Sequence, residues 1–242
     1  NDNAYMPIHN SFMEGEWFLI KKSSEKNRLY KGNKVMTWCK SCETALAKHE
    51  LEYKTVEDNS IFVKFKVLNK DNEYLIIWTT TPWTIPFNLA VMVNPELNYV
   101  RAKVLVDEKN NKYEIWIVST ALSTAFINGV AGKNFEIIEE FKGEKLSGLN
   151  YEHPFSDIVD QYKELKRNYK NVHTVILSEE FVDTSAGTGL VHCAPGCGPE
   201  DFEVGKAYNI PAFNNIDELG VFPIEMKKFA GMVAKDNDNL FI

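Results

Sequence analysis

The sequence has little of what marks a membrane or secreted protein. No run approaches the ~18 to 20 consecutive apolar residues that a membrane-spanning helix needs. Only four of the 242 residues are cysteine, and two of them form the pair Cys39 and Cys42. This usage does not fit a small scaffold held by disulfides and is typical of a reducing compartment. We therefore expect a cytoplasmic protein without a membrane partner.

An excess of positive charge is also missing. Lys and Arg total 27 against 34 Asp and Glu, which gives a net charge of −7. Proteins that hold a nucleic acid mainly through its phosphates are usually basic. If a nucleic acid is the partner, we expect this chain to contact only a small end of it, or to gain affinity from other domains. The 44% hydrophobic and 25% charged residues are ordinary for a globular protein with a sizeable core.

Short strands dominate the pattern of apolar and polar residues. The alternation predicts strands at 61–68, 73–80, 89–94, 98–106, 112–118, 135–141, 172–177 and 188–193. The polar residues 69–72 predict a hairpin turn between the first two strands, and in the strand at 98–106 one face carries Val100, Ala102, Val104 and Val106. Helical patterns are fewer and are predicted at 11–27, 120–127 and 156–167. Many short strands joined by hairpins, with a few inserted helices, predict a mainly β protein that closes into a β-barrel.

The first polar stretch of interest is the end of the strand at 73–80. Three threonines, Thr79 to Thr81, are followed by Pro82, Trp83 and, further on, Pro86. Each proline lacks an N–H and disfavours continuation of the strand. Small hydroxyls beside an aromatic ring at a strand end form a candidate binding wall. The residues alone favour the simpler interpretation, a threonine-rich edge strand that ends in a proline turn.

The second stretch, 187–202, ends another strand. His192 lies near the end of that strand, and Pro199 is placed at the first position of a following helix. Asp201 then falls in the first helical turn, where the helix dipole is predicted to keep it ionised. A fixed carboxylate beside a histidine can hold an ammonium group. From these residues alone, a capping Asp201 and a buried, hydrogen-bonded His192 are the favoured alternative.

The cysteines allow several kinds of site. The spacing of Cys39 and Cys42 suits half of a tetrahedral zinc site, and it equally suits two inert thiols. Cys193 and Cys197 are a conceivable second half. A Cys–His hydrolase using His192 with either of them is disfavoured. His192 and Cys193 face opposite sides of one strand, and no third orienting group is evident.

Three segments together resemble the editing domain of isoleucyl-tRNA synthetases, which is inserted into the class I catalytic core of the isoleucyl, valyl and leucyl enzymes. The resemblance rests on Trp-Cys-Lys-Ser-Cys at 38–42, on Trp-Thr-Thr-Thr-Pro-Trp-Thr at 78–84, and on Gly-Thr-Gly to Asp at 187–201. The segment Thr-Thr-Thr-Pro-Trp-Thr favours the isoleucyl branch, because the valyl and leucyl branches typically carry Thr-Thr-Arg-Pro-Glu-Thr.

The resemblance implies an organisation and an activity. It implies a connecting stem at 1–55 with a Cys-x-x-Cys half-site, a β-barrel editing domain at 56–222, and a return segment toward the catalytic core at 223–242. The implied activity is aminoacyl-tRNA hydrolysis, the removal of valine wrongly attached to tRNA(Ile). The implied partners are the 3′ end of the mischarged tRNA(Ile) and the catalytic core of the same synthetase, which ligates isoleucine to tRNA with ATP.

Two alternatives stay open beside this expectation. One is a module that binds the tRNA acceptor end and is inactive without the catalytic core, and the other is an editing domain of the valyl type. Ligation is not expected from these residues, because they contain neither a HIGH-type nor a KMSKS-type motif. Editing is expected to need no cofactor. Zinc and ATP are expected only in the full-length enzyme, zinc at a site completed by a second cysteine pair and ATP in the catalytic core.

The resemblance also implies roles for individual side chains. Catalytic roles fall to three residues, namely Thr80, Thr81 and Asp201. Substrate-binding roles fall to four, namely Thr79, Trp83, Asn88 and His192. The aspartate is expected to bind the α-ammonium, the threonines to hold the ester and terminal ribose, and the histidine to line the side-chain pocket. No general base is evident, so a water activated by a ribose hydroxyl is implied. Cys197 stands where the family commonly has His, and a thiol is smaller and a weaker hydrogen-bonding group than an imidazole.

Overall fold

The computed structural model describes residues 6–241, which belong to two compact units, 1–34 and 35–242. Helix α1 (Asn10–Glu25) lies in the first unit and confirms the helix predicted at 11–27. None of the described side chains of α1 is buried within this chain, and its apolar residues Trp17, Phe18 and Leu19 are more than half exposed. Among the described residues, no helix is long and apolar enough to cross a membrane.

The second unit carries the strands and the remaining helices. In chain order the strands are β1 (Trp38–Cys39), β2 (Thr44–Ala45), β3 (Ile61–Val67), β4 (Glu73–Thr79), β5 (Ala90–Val93), β6 (Asn98–Asp107), β7 (Lys112–Ser119), β8 (Phe135–Lys142), β9 (Tyr151–Glu152), β10 (Thr174–Leu177) and β11 (Leu190–Cys193). The helices are α2 (Thr120–Thr124), α3 (Gln161–Asn168) and α4 (Pro199–Ala207). A 3-10 turn, Pro82–Phe87, follows β4.

Nine of these strands form one mixed sheet. Its order is β10-β5-β11-β4-β7-β6-β8, with β3 paired to both β4 and β9. The predicted hairpin at 69–72 is confirmed, because it joins the antiparallel strands β3 and β4. Strand β11 lies parallel to β4, with Val191 opposite Trp78. Parallel neighbours end at the same edge of a sheet. The two chemically rich stretches, which follow β4 and β11, therefore leave the sheet side by side.

The mainly β architecture with helical insertions agrees with the prediction, whereas a closed barrel is not shown. The strand order has two ends, β10 and β8, and no ladder of the described strands joins them. One isolated bridge, Asn150 with Thr174, and a hydrogen bond from the Tyr151 N–H to the His173 carbonyl link the start of β9 to that of β10. These contacts stop short of a paired strand, so closure stays a prediction.

Strand alternation decides which core each side chain enters. Leu75 and Ile77 of β4 enter one buried cluster, while Ile76 faces the opposite cluster. Ala90 and Met92 of β5 belong to a third cluster. Fully burying a leucine, isoleucine or methionine side chain contributes about 1.5–3 kcal/mol to stability. The third cluster also takes in apolar residues from the C-terminal segment: Phe222, Met226, Phe229 and Phe241.

Two predicted helices differ from the observed ones. The helix predicted at 156–167 begins only at Gln161, because the chain before it turns at Phe155, whose carbonyl accepts from both the Ile158 and Val159 N–H groups. Helix α2 is short and continues as a π-helical turn, Ala125–Val130. The structure divides the chain at residue 34, and the domain boundaries at 55 and 222 stay predictions.

Candidate active site

A cavity of about 320 Å³ lies where β4 and β11 end. Its size falls in the usual range of small-molecule sites, about 300–1,000 Å³. Among the residues that line it are four that the sequence analysis proposed: Thr79, Thr80, His192 and Asp201. The two polar stretches are more than 100 residues apart in the chain, and the parallel pairing of β4 with β11 brings them to one site.

Three threonine hydroxyls form a hydrogen-bonded network at His192 Nε2. The Thr79 hydroxyl lies 3.5 Å from His192 Nε2, and that of Thr84 lies 3.2 Å from the same nitrogen. The Thr81 hydroxyl connects the two, at 3.2 Å from Thr79 Oγ1 and 3.4 Å from Thr84 Oγ1. The backbone N–H of Thr81 also donates to Thr79 Oγ1 over 3.1 Å. This network fixes the direction in which the chain leaves β4.

The hydrogen bonds assign the tautomer of His192. The single hydroxyl proton of Thr84 is donated to the Thr81 carbonyl over 2.8 Å, so Thr84 Oγ1 can only accept from the histidine. Nε2 therefore carries the proton, and Nδ1 is left as a buried acceptor without a hydrogen-bond partner in the described chain. Burial lowers the pKa of His192 to about 4, which keeps the ring neutral at physiological pH.

Asp201 occupies the first turn of α4, with Gly198 before the helix and Pro199 at its first position, as predicted. Its Oδ2 accepts a hydrogen bond of 3.1 Å from the Ala194 N–H. The sequence argument named the helix dipole, which favours the ionised carboxylate, but did not include burial, which acts in the opposite direction. Burial raises the pKa of Asp201 to about 6, and the bond from Ala194 offsets only part of that effect. A cation that enters the cavity would restore charge compensation to this carboxylate.

Two glycines also line the cavity. Gly187 and Gly189 adopt φ values of +74° and +77°, which glycine reaches without strain. A Cβ on Gly189 would lie 2.5 Å from the Cβ of Ser119, and one on Gly187 would lie 3.1 Å from the Trp78 ring system. Thr188, between them, donates its hydroxyl to the Ile76 carbonyl over 2.6 Å. The Gly-Thr-Gly segment therefore fits closely between β4 and β7.

Three predicted site residues do not line the cavity. Thr81 supports the hydroxyl network described above. Trp83 contacts the edge of Phe87, at 6.4 Å between ring centroids. Asn88 is fully buried, where its side chain donates to the Ala90 carbonyl and accepts from the Tyr151 hydroxyl over 2.5 Å. The expectation that Trp83 and Asn88 shape the wall is therefore corrected, because both side chains are committed to the packing behind the turn.

Sequence reasoning missed three residues at the site. Thr84 was quoted in the motif without a role, although it makes the shorter of the two contacts with His192. Asp183 and Ser185 line the cavity mouth, where Ser185 donates both its N–H and its hydroxyl to Asp183 Oδ1. These hydrogen bonds lower the pKa of Asp183. The signal available in the sequence was a run of small polar residues just before Gly187.

The cysteines do not assemble a metal centre in the described part of the chain. Cys39 and Cys42 lie at the β1–β2 hairpin and interact, which lowers the pKa of Cys39 and raises that of Cys42. Across residues 6–241, no group of three or more His, Cys, Asp or Glu side chains is arranged to hold a metal ion. The four-cysteine site is therefore not formed. A tetrahedral zinc would find two of its four ligands here.

Comparison with known proteins defines the class. The family model described as tRNA synthetases class I (I, L, M and V) matches residues 1–174, and the chain belongs to this family. Over 98% of its length it is 48% identical to the isoleucine–tRNA ligase of Pyrococcus horikoshii and 45% identical to that of Methanocaldococcus jannaschii. The chain spans 22% and 23% of the length of these two relatives.

Solved structures similar to this chain include editing domains of leucyl-tRNA synthetases. The editing domain of the P. knowlesi cytosolic leucyl-tRNA synthetase matches with a TM-score of 0.46 at 15% identity, covering 75% of this chain and 81% of that one. The corresponding P. falciparum domain matches with a TM-score of 0.41 at 15% identity, covering 58% of this chain and 51% of that one.

Proposed function

We propose that this chain is the editing domain of an isoleucyl-tRNA synthetase and hydrolyses valine from mischarged tRNA(Ile). The observation that carries the proposal is the convergence of Thr79, Thr80, His192 and Asp201 on one cavity. That cavity offers hydroxyls, a neutral imidazole and a carboxylate within a small volume. These groups match the ester, the side chain and the ammonium of an aminoacyl ester. Identity with isoleucine–tRNA ligases over nearly the whole chain supports the choice of tRNA.

The physical need for such a site is a limit on selection by binding. A pocket sized for isoleucine rejects valine only by the contacts of one missing methylene, which in this class of enzyme are known to be worth about 1–3 kcal/mol. A second, smaller pocket discriminates in the opposite sense. It admits the valine side chain and excludes that of isoleucine, because the extra methylene would overlap with the pocket wall. Interiors are close-packed and resist an extra methylene. His192, buried and held by Thr84, supplies a firm wall for this purpose.

The chemistry we propose is ester hydrolysis by orientation. Asp201 binds the α-ammonium, and Thr80 holds the ester and the terminal ribose. A water adds to the ester carbonyl carbon, the bond to the ribose oxygen breaks, and that oxygen takes up a proton to leave free valine and the ribose hydroxyl. Neutral His192 donates its Nε2 proton to Thr84, and its pKa of about 4 makes Nδ1 a weak base, so a substrate ribose hydroxyl is proposed to position the water. Fixing reactants in this way can supply much of a rate enhancement.

The proposal extends to partners and architecture. The 3′ end of tRNA(Ile) is the proposed nucleic-acid contact, which agrees with a net charge of −7. The catalytic core of the same synthetase is the proposed covalent neighbour, and the cytoplasm the proposed location. We also propose that the sheet closes into a barrel through the segments linked by the Asn150–Thr174 bridge.

Deacylation by the 242-residue chain tests the function. We expect release of valine from valyl-tRNA(Ile) and retention of isoleucine on isoleucyl-tRNA(Ile). Asp201→Ala and Thr80→Ala are expected to abolish release, while the exposed controls Asp71→Ala and Thr55→Ala retain it. Hydrolysis that survives both site variants would overturn the residue assignment.

The same assay separates the alternatives. A chain that binds valyl-tRNA(Ile) without releasing valine would be the acceptor-end binding module. Preferential release of threonine from threonyl-tRNA(Val) would identify an editing domain of the valyl type.

A further inference from the structure

A buried polar cluster lies behind the proline turn, outside the cavity. It comprises Tyr151, His153 and Tyr162, which are all less than 4% exposed. Each of them directs a hydrogen bond at the segment 85–88. Tyr162 donates its hydroxyl to the Pro86 carbonyl over 2.6 Å, and His153 Nε2 lies 3.0 Å from the Ile85 carbonyl. Three buried polar side chains therefore form hydrogen bonds to one short turn.

We propose that His153 and Tyr162 are positioning residues: by holding the carbonyls of Ile85 and Pro86 they fix the turn that carries Thr84 to His192. The kinetic part of this inference rests on the proposed function, whereas the structural part does not. Neither side chain lines the cavity. Their effect on the site is transmitted through the turn Pro82–Phe87, which begins directly after the hydroxyl network of Thr79 and Thr81.

The hydrogen-bond pattern leaves His153 one usable tautomer. The Phe155 N–H donates to His153 Nδ1 over 3.0 Å, so Nδ1 carries no proton. Nε2 must then carry it, and it donates to the Ile85 carbonyl. Burial lowers the pKa of His153 to about 3, and Lys166 and His192 add to this effect. The neighbouring His173, whose ring centroid lies 5.1 Å away, is also kept neutral by burial. The donor is therefore permanent at physiological pH.

The turn makes main-chain hydrogen bonds of its own, including one of 2.9 Å from the Asn88 N–H to the Ile85 carbonyl, and the side chains behind it add to these. Pro82 and Pro86 cannot donate a main-chain hydrogen bond. Tyr162 satisfies the Pro86 carbonyl, which would otherwise be a buried acceptor. Loss of that donor would let the turn shift, and Thr84 Oγ1 would move relative to His192 Nε2. Displacements of about 1 Å far from the reacting atoms can reduce rates by about a hundredfold.

The test compares the deletion of two tyrosine hydroxyls, one that bonds the turn and one that bonds a strand away from it. Tyr162→Phe removes the donor to Pro86 and keeps the ring. Tyr208→Phe is the matched control, because Tyr208 bonds the Leu177 carbonyl over 3.0 Å and contacts neither the turn nor the cavity. His153→Gln keeps a terminal amide donor, whereas His153→Leu removes it. The readouts are kcat and KM for valyl-tRNA(Ile) deacylation and the ¹⁵N NMR shifts of the His192 ring in the same 242-residue chain.

We expect Tyr162→Phe to lower kcat about ten- to hundredfold with little change in KM, and to shift the His192 Nε2 resonance. Tyr208→Phe should lower the melting temperature by a similar amount, but it should change neither kcat nor the His192 Nε2 resonance. His153→Gln should retain most of the activity that His153→Leu loses. If His153→Leu does not fold, the comparison of Tyr162→Phe with Tyr208→Phe still tests the inference.

Two results would overturn the inference. One is an unchanged His192 spectrum in Tyr162→Phe, and the other is a loss of activity that follows the melting temperature equally in both tyrosine variants. If the unmodified chain releases no valine, the proposed function fails. The His192 spectrum then tests the positioning role alone.

Discussion

His192 Nε2 and the Thr84 hydroxyl lie 3.2 Å apart although 108 positions separate the two residues. Because Thr84 donates its proton to the Thr81 carbonyl, the imidazole must donate to Thr84. The contact therefore fixes the tautomer of a buried histidine at the floor of the candidate site. It also couples the two polar stretches, one after β4 and one at the end of β11.

Removing the Thr84 hydroxyl should destabilise the protein and free the imidazole. Thr84→Val keeps the shape but leaves the buried Nε2–H of His192 with only the longer, 3.5 Å contact to Thr79 Oγ1, which costs about 1–3 kcal/mol. Thr84→Ser should retain most of the stability. Urea unfolding measures the cost, and ¹⁵N NMR of the ring measures the tautomer. Equal stability of the Val and Ser variants would contradict the assigned hydrogen bond.

Asp201 should control the pH dependence of deacylation. Its pKa is raised to about 6, so kcat/KM should rise with pH from 5 to 7 as the free carboxylate ionises. An ammonium in the site stabilises the carboxylate, so the corresponding limb of kcat should move to lower pH. Asp201→Asn should lower kcat/KM about a hundredfold, because an ion pair with hydrogen bonds is lost. A pH profile unchanged in Asp201→Asn would exclude the aspartate as its source.

The tight fit of Gly189 predicts a large effect of one methyl group. Gly189→Ala combines a φ of +77° with a Cβ only 2.5 Å from that of Ser119. Gly148→Ala is its matched control, since φ is +76° there and nothing lies within 4 Å of the added Cβ. We expect the control to cost about 1–2 kcal/mol, from the backbone alone, and Gly189→Ala to cost clearly more and to abolish activity. Equal melting temperatures of the two variants would show that the wall is not close-packed.

Mild acid should destabilise the fold through its buried histidines. His153, His173 and His192 have pKa values lowered by burial to about 3, 2 and 4, below the unfolded value of 6.5. The unfolded chain therefore binds more protons below pH 6.5, and stability is full above that pH and falls as the pH drops. At pH 5.5 each histidine removes about 1.4 kcal/mol, and the raised pKa of Asp201 returns about 0.8 kcal/mol.

Urea unfolding at pH 7.5 and pH 5.5 measures this loss, which should total about 3 kcal/mol. His153→Gln should reduce it by about 1.4 kcal/mol, close to half, because one of the three titrating rings is gone. A free energy of unfolding that stays constant over this pH range would contradict the neutral, buried state of the three rings.

The sequence predicted local features correctly where a residue pattern is compatible with only one local structure. Proline at the first helical position placed Asp201 correctly in α4, and the turn at 69–72 gave the β3–β4 hairpin. Apolar alternation gave the buried residues Val100, Ala102 and Val104 of β6. Such features depend on neighbours within a few positions.

Features that depend on contacts between residues far apart in the sequence could not be predicted. The raised pKa of Asp201 results from burial, whereas the sequence showed only a helix terminus. The commitment of Asn88 to Tyr151, 63 positions away, removed it from the expected wall. The role of Thr84 required knowledge that β11 pairs with β4. Motif resemblance identified the region of the site, and tertiary contacts decided which side chains reach it.

The most direct measurement is a crystal structure of the chain with a non-hydrolysable adenosine that carries valine in amide linkage on its ribose. The account predicts the α-ammonium against the Asp201 carboxylate, the valine side chain against His192, and the linkage beside Thr80. An ammonium placed away from Asp201, or a valine side chain turned out of the cavity, would contradict it.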